Sequence, residues 1–297
     1  MPENVQIVTT AEESKRISCN LGIIYRDEKS LGITHPFFSV VLNAFKNEAE
    51  LHGYDVTFIN HAVGDGKMSF LDHCRFRKLD GVCLVCIDFT SDEIQELIES
   101  EIPCVTVDHR FKKAAAVLSD NENGVNLLVD HAVSLGHRRI AYIHGHNNST
   151  VTTTRISQYQ SAMAYHGLPI PEEYLQNGLY NDIELTRKIV IRLLRLPEPP
   201  TCILLPDDYC YFGAQGAVRK LGLRIPEDLS VAGFDGIPLT QALMPALTTI
   251  HQDCVALGTE GARKLIRLIE HPDEKFNRVS VFPVKLIAGG TMAPVKK

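Results

Sequence analysis

The feature that most limits what this chain can fold into is a repeated alternation of short apolar runs with longer amphipathic ones, sustained over most of its length. Short apolar runs bounded by turn formers fit buried strands, and the longer runs carry one apolar face at helical spacing. A strand that is followed by a helix before the next strand can pair with it only in parallel, so the pattern predicts stacked βαβ units. In a first series, residues 19–25, 54–60, 81–87 and 102–107 read as strands, with helices over 35–52, 67–78 and 91–100. The helix over 121–135 is stopped by Gly136 and sets Val125, Leu128, Val129, Ala132 and Val133 on one face. A second series follows, with strands at 139–144, 174–179, 202–205, 229–234 and 247–251 and helices at 155–166, 183–196, 209–221 and 255–270. A last strand is expected over 279–287. The fold class is therefore α/β, with two similar Rossmann-like lobes, each a parallel sheet flanked by helices. No Pro/Gly/Ser-rich linker separates them, so tight crossings join the lobes, an arrangement suited to opening and closing around a ligand.

At 297 residues the chain can bury two cores of ordinary size. Its formal net charge of −6, without any dense Lys/Arg block, excludes the basic footprint of a stand-alone nucleic-acid binder. Residues 1–16 are polar, lack the apolar centre of a secretory signal, and read as a leader or linker remnant. No apolar run approaches a membrane span, and the expected location is the cytoplasm, with no membrane partner. The eight cysteines are scattered, mostly among apolar neighbours, as reduced buried thiols would be. Cys83 and Cys86 form a CxxC, but inside a strand they point to opposite faces, which argues against a redox or metal role.

No GxSxG elbow, P-loop, HExxH or strand-borne GxGxxG occurs, and no nucleophile–base–orienter set can be assembled, so the chain reads as a non-enzyme without cofactor or metal. His144-Gly145-His146 follows a strand and could reach a cleft, but two histidines without a third ligand are more often a polar loop. What recurs is an acid at each strand end: Asp88, Asp108, Asp207-Asp208 and Asp235. In open α/β sheets ligands bind beyond the carboxyl ends of the strands, and there carboxylates accept from hydroxyls while Arg155 donates back. Phosphates and polyanions would be repelled unless Arg110 and Arg155 both turned inward. Phe37, Phe38 and Tyr180 could wall such a site. The ordinary alternative for any one acid is a turn or cap, and for the two phenylalanines core packing.

The run Ile225-Pro226-Glu227-Asp228-Leu229-Ser230-Val231-Ala232-Gly233-Phe234-Asp235-Gly236-Ile237-Pro238-Leu239, with Pro245-Ala246-Leu247-Thr248-Thr249-Ile250, resembles the C-terminal signature of LacI/GalR-type transcriptional regulators. His35-Pro36-Phe37-Phe38, Ser119-Asp120-Asn121 with Gly124, Leu135-Gly136-His137-Arg138-Arg139-Ile140-Ala141, and Arg155 with Tyr159 support it, over about residues 17–291. The resemblance implies a periplasmic-binding-protein-like I sensor with crossings near 119–120, 252–253 and 277–279. Its lobes would be 17–118 with 253–277, and 119–252 with 278–291, leaving 292–297 as a tail. It implies effector contacts at Asp108, Arg155, Tyr180, Asp207 and Asp235, with Phe37 and Phe38 as the first-lobe aromatic pair. The partners it implies are a sugar- or polyol-like effector, a second copy of the chain, and operator DNA through a helix-turn-helix. The residues before Ile17 are too few for that domain, which is expected to be absent from this chain. A solute-binding protein of a sugar transport system is the alternative, disfavoured by the missing signal and the cysteines. Asp207 stands where the family usually has Asn, Cys254 where an aromatic is frequent, and Ala288-Gly289-Gly290-Thr291 where Arg-Glu-Ser-Thr is usual. The first change removes a donor and adds charge, which points to a ligand other than an ordinary hexose.

Overall fold

The computed structural model describes residues 18–26, 32–63, 66–146 and 149–295. Its elements in order are β1 (Asn20–Tyr25), α1 (Pro36–Leu51), β2 (Asp55–Phe58), β3 (Ala62–Val63), β4 (Gly66–Lys67), α2 (Phe70–Phe76), β5 (Gly81–Val85), α3 (Asp92–Glu99), β6 (Cys104–Val107) and β7 (Ala115–Ser119). Then come α4 (Asn121–Ser134), β8 (Ile140–His144), α5 (Thr150–Tyr165), β9 (Leu175–Asn177), α6 (Ile183–Leu193), β10 (Cys202–Leu204) and α7 (Cys210–Lys220). The last are β11 (Ser230–Asp235), α8 (Pro238–Gln241), β12 (Thr248–His251), α9 (Cys254–Glu270), β13 (Val279–Phe282) and β14 (Lys285–Ile287).

Two six-stranded sheets result, in the orders β13-β7-β6-β5-β1-β2 and β14-β12-β11-β10-β8-β9. All pairings in the first sheet are parallel. In the second, only β14 on β12 is antiparallel. Direction explains the exception. Strand β13 runs with its sheet toward the cleft and the chain continues into the other lobe, whose strands also end at the cleft, so β14 enters against them.

Several features depart from the sequence expectation. Strand β7 was not anticipated, because Ala115–Ser119 follows the charged Lys112-Lys113 with no turn former to mark it. The single strand expected over 279–287 is two strands in different sheets, separated at Pro283-Val284, where proline cannot donate to a ladder. The third crossing therefore lies at Pro283-Val284, not at 277–279, and β13 belongs to the first lobe. The expected tail is docked: Met292 is buried, Ala293 N donates to Ser230 Oγ (3.1 Å), and Val295 N donates to the Leu135 carbonyl (3.0 Å). The leader expected over 1–16 lies outside the described residues.

Each sheet is covered on both faces, as a parallel sheet requires. In the first lobe α1 and α9 cover one face over Leu21, Ile23, Phe45, Val105 and Leu265, while α2 and α3 cover the other over Ile24, Leu84, Ile94 and Leu97. The α1–α9 contact is close enough that a Cβ at Gly258 would lie 2.1 Å from the Val41 carbonyl oxygen. In the second lobe α4 and α5 pack over Ile140, Tyr142 and Phe234, and α6 and α7 over Ile143, Ile203 and Val231. Among the described residues no helix is long and apolar enough to cross a membrane.

Candidate functional site

The carboxyl ends of both sheets face the crossings, and the strand-end acids sit there. Asp108 follows β6 with φ 60°, and Asp235 closes β11 with φ 125°. Such left-handed conformations are costly for a residue with a Cβ and persist where the surroundings enforce them, as at binding sites. Asp108 accepts from the Ser119 amide (3.3 Å) at the first crossing. Asp235 accepts from Gln252 Nε2 (2.7 Å) at the second. Each acid is therefore tied to a point where the chain changes lobe.

Arg155 is 4% exposed and lies on the second turn of α5, which begins at Thr150; it does not open the helix as expected. Its Nε donates to Asn121 Oδ1 (2.7 Å), its Nη1 to the Pro206 carbonyl (3.0 Å), and its guanidinium carbon lies 3.5 Å from the Phe234 ring centroid. The charge of Arg155 bears on Asp108, Asp235, Tyr142 and Tyr180, and that of Asp207 on Asp235 and Tyr180. Tyr180 shares a hydrogen bond of 2.8 Å with Thr152 Oγ1 on α5. A Cβ at Gly145 would lie 2.0 Å from its ring, so glycine there makes room for the tyrosine. Arg155 thus acts by its charge on Asp108, Tyr180 and Asp235, and Asp207 acts on Tyr180 and Asp235, while the hydrogen bonds of Arg155 go to Asn121 and Pro206.

Burial raises the carboxyl pKa of Asp108, Asp207 and Asp235; for Asp235 the neighbouring Asp208 and Asp207 push the same way, and Arg155 opposes them. Asp207 is otherwise occupied: it accepts from the Asn181 amide (2.7 Å), the Cys210 amide (2.9 Å) and the Cys210 thiol (3.4 Å). It holds the turn that carries Tyr180.

The aromatic pair divides. Phe37 is buried in the first-lobe core with Val41 and Phe45, the ordinary place for an apolar residue at a helix start. Phe38 is half-buried, with its ring 5.6 Å from that of Tyr25 and 4.8 Å from that of His35. Asp88 takes the turn reading, accepting from the amide (2.9 Å) and hydroxyl (2.6 Å) of Thr90. His144 Nδ1 lies 2.9 Å from the Gly145 carbonyl, and among the described residues no group of three or more His, Cys, Asp or Glu could hold a metal ion.

Several residues escaped the sequence reading. His35 caps α1 by accepting from the Phe37 amide (3.2 Å) and reaches the Asn181 side-chain amide of the other lobe (2.6 Å). His109 Nδ1 lies 3.1 Å from Thr150 Oγ1, a second contact between lobes. Gln252 reaches Asp235 from the second crossing, and Asp208, already read as a strand-end acid, ties the segment after β11 in place. Only His35 carried a signal, a possible cap before Pro36. A half-open pocket of about 490 Å³ adjoins the group, bounded by His146, Tyr180, Asn181 and Glu184.

Residues 129–292 match the family model described as a periplasmic binding protein-like domain. The chain is 30% identical over 251 residues to the probable HTH-type transcriptional repressor ExuR of Bacillus subtilis, covering 84% of this chain and 74% of that protein. It is 29% identical over 258 residues to the HTH-type transcriptional repressor PurR of Haemophilus influenzae, covering 85% of this chain and 76% of that one. Among solved structures it is similar to a LacI family transcriptional regulator from Enterococcus faecium with bound ribose, at a TM-score of 0.81, 25% identity, and coverage of 93% and 100%. These relatives are regulators and not enzymes. The two-lobed fold, the family match and the kinship to repressors together show that the chain belongs to the LacI family of transcriptional regulators, as its periplasmic-binding-protein-like effector-binding domain.

Proposed function

We propose that this domain binds a small, hydroxyl-rich effector between its lobes and that closure on the ligand, in a homodimer, changes affinity for operator DNA. The observation that carries the reading is the meeting of Asp108 from the first lobe with Arg155, Tyr180 and Asp235 from the second, at the points where the chain crosses. Carboxylates accept hydroxyl protons, the guanidinium donates, and a tyrosine ring offers an apolar face to a sugar ring. The relative from Enterococcus faecium with bound ribose supports a sugar-like ligand. A closed form is favoured by the His35–Asn181 and His109–Thr150 contacts, and a ligand that adds contacts to both lobes shifts the population toward it. Operator contact would require a helix-turn-helix, and the location that follows from such a role is the cytoplasm.

A thermal-shift screen over sugars, polyols and nucleosides tests the reading. A ligand at a hundredfold its Kd stabilises by about 2.7 kcal/mol. Asp235→Ala and Arg155→Lys should each remove that response while leaving the ligand-free protein folded. An undiminished response in both variants would remove these residues from the site, and a monomer in sedimentation at micromolar concentration would count against the dimer.

A further inference from the structure

The acids at the crossings are not balanced by the cations around them. Asp207, Asp208 and Asp235 act on one another as like charges, whereas the cation that bears on Asp108 and Asp235 is Arg155. Arg155 already spends Nε and Nη1 on the neutral oxygens of Asn121 and Pro206. Arg110, which an anionic ligand would need turned inward, is exposed.

Hydrogen-bond capacity is uneven in the same place. A carboxylate can accept about four hydrogen bonds. Asp207 and Asp208 are supplied by several protein donors each, but Asp108 has the Ser119 amide and Asp235 the Gln252 amide group. Beside each of these two lies a buried side-chain atom without a partner. Ser119 Oγ is next to the Asp108 contact, and Gln252 Oε1 is the other end of the amide that reaches Asp235; Gln252 is only 2% exposed. An unpaired buried acceptor is costly, so a native fold retains one where something else completes it. What would complete this set must bring donors, because the vacant positions on Asp235 and Gln252 are acceptors.

We infer that the effector is an aminated sugar whose protonated amine donates to Asp235 and to Gln252 Oε1. This rests on the interlobe site proposed above and narrows its ligand class. A hydroxyl brings one donor and no charge, whereas an ammonium brings three donors and offsets the acid surplus where water is largely excluded. Burial raises the carboxyl pKa of both Asp108 and Asp235, and a bound cation would lower them again. A metal ion is a poorer fit, since no suitable ligand group exists among the described residues.

The test uses D-glucosamine, D-galactosamine and D-mannosamine, each beside its neutral parent sugar and its N-acetyl form, at about pH 7, where the amines are charged. Binding is read by thermal shift and calorimetry in the wild type, in Asp235→Asn, and in Asp108→Asn as a second variant should the first not fold. At least one amino sugar should bind roughly ten- to a hundredfold more tightly than both its parent and its N-acetyl form, and Asp235→Asn should erase that preference. A neutral parent that binds as tightly as its amine overturns the amine and leaves the interlobe site standing. A preference that survives in a folded Asp235→Asn, or in Asp108→Asn where the first does not fold, overturns the assignment to these acids. A flat response to every compound overturns both the amine and the sugar-like ligand on which it rests.

Discussion

Asp208, just beyond β10, and Asp235, at the end of the neighbouring β11, both lie in low-dielectric surroundings, and they have opposite situations. Asp208 is fully buried and takes three protein donors: the Ile237 amide (3.0 Å), Thr240 Oγ1 (2.8 Å) and Thr249 Oγ1 (2.5 Å). A Cβ at Gly233 would come within 2.4 Å of its Oδ1, so the strand beside it is packed to fit the carboxylate. Asp235, on a strained backbone, takes one side-chain donor, and that donor's own oxygen is left unpaired. A buried acid whose acceptor positions are filled by the protein holds the fold together. One with positions left over at a crossing is available to something that comes and goes.

Removing each carboxylate should separate the two roles. Asp208→Ala strands three donors at once, and the expected loss is about 3–5 kcal/mol in urea unfolding. A loss under about 1 kcal/mol would break the distinction, because it would mean the three bonds do not support the fold.

Stability against pH offers a smaller effect. Burial, reinforced by Asp207, pushes the Asp208 carboxyl up to about 7 from an ordinary 3.8, although its three donors pull the other way. The folded protein therefore holds a proton that the unfolded chain has lost. Its contribution is complete below the unfolded pKa and declines as pH rises through about 7. Ligand-free protein should lose on the order of 1–2 kcal/mol between about pH 6 and 8, read from urea midpoints; a rise over that window would contradict the direction. The raised carboxyls of Asp235, Asp207 and Asp108 act in the same sense.

Asp235→Asn should give the smallest change in the ligand-free protein. It keeps the shape, removes a carboxyl whose charged form burial disfavours, and is expected to leave stability at about pH 8 unchanged or raised by up to about 1 kcal/mol. A clear destabilisation there would place Asp235 beside Asp208 as a structural acid and sharpen the comparison against the binding role.

Much of this was legible in the chain. The strand-end acids could be found because alternation locates where buried strands stop, and an acid there has few apolar neighbours to join. Arg155 and Tyr180 were read both from their places after strands and from the resemblance; in the structure Arg155 bonds Asn121 and the Pro206 carbonyl, and Tyr180 bonds Thr152. Phe37 and Phe38 could not be told apart, since consecutive helical residues point about 100° away from each other and only the packed neighbours decide which one faces the core. Strand β7 was hidden by its alanines, which favour helix over strand. The run over 279–287 looked continuous because local pattern carries no information about which sheet accepts each half.

From the sequence alone the chain's class was determined, together with its two series of βα units and the acids at their ends, because those follow from local periodicity and turn chemistry. Tertiary structure decided the third crossing, the docking of residues 292–295, and the division of labour between Asp208 and Asp235. The physical reason is that hydrogen-bond satisfaction is set by groups far apart in the chain: Thr249 lies 41 residues from Asp208, and Gln252 lies 17 from Asp235. Whether a buried carboxylate is complete or still open depends on which of those groups the fold delivers to it.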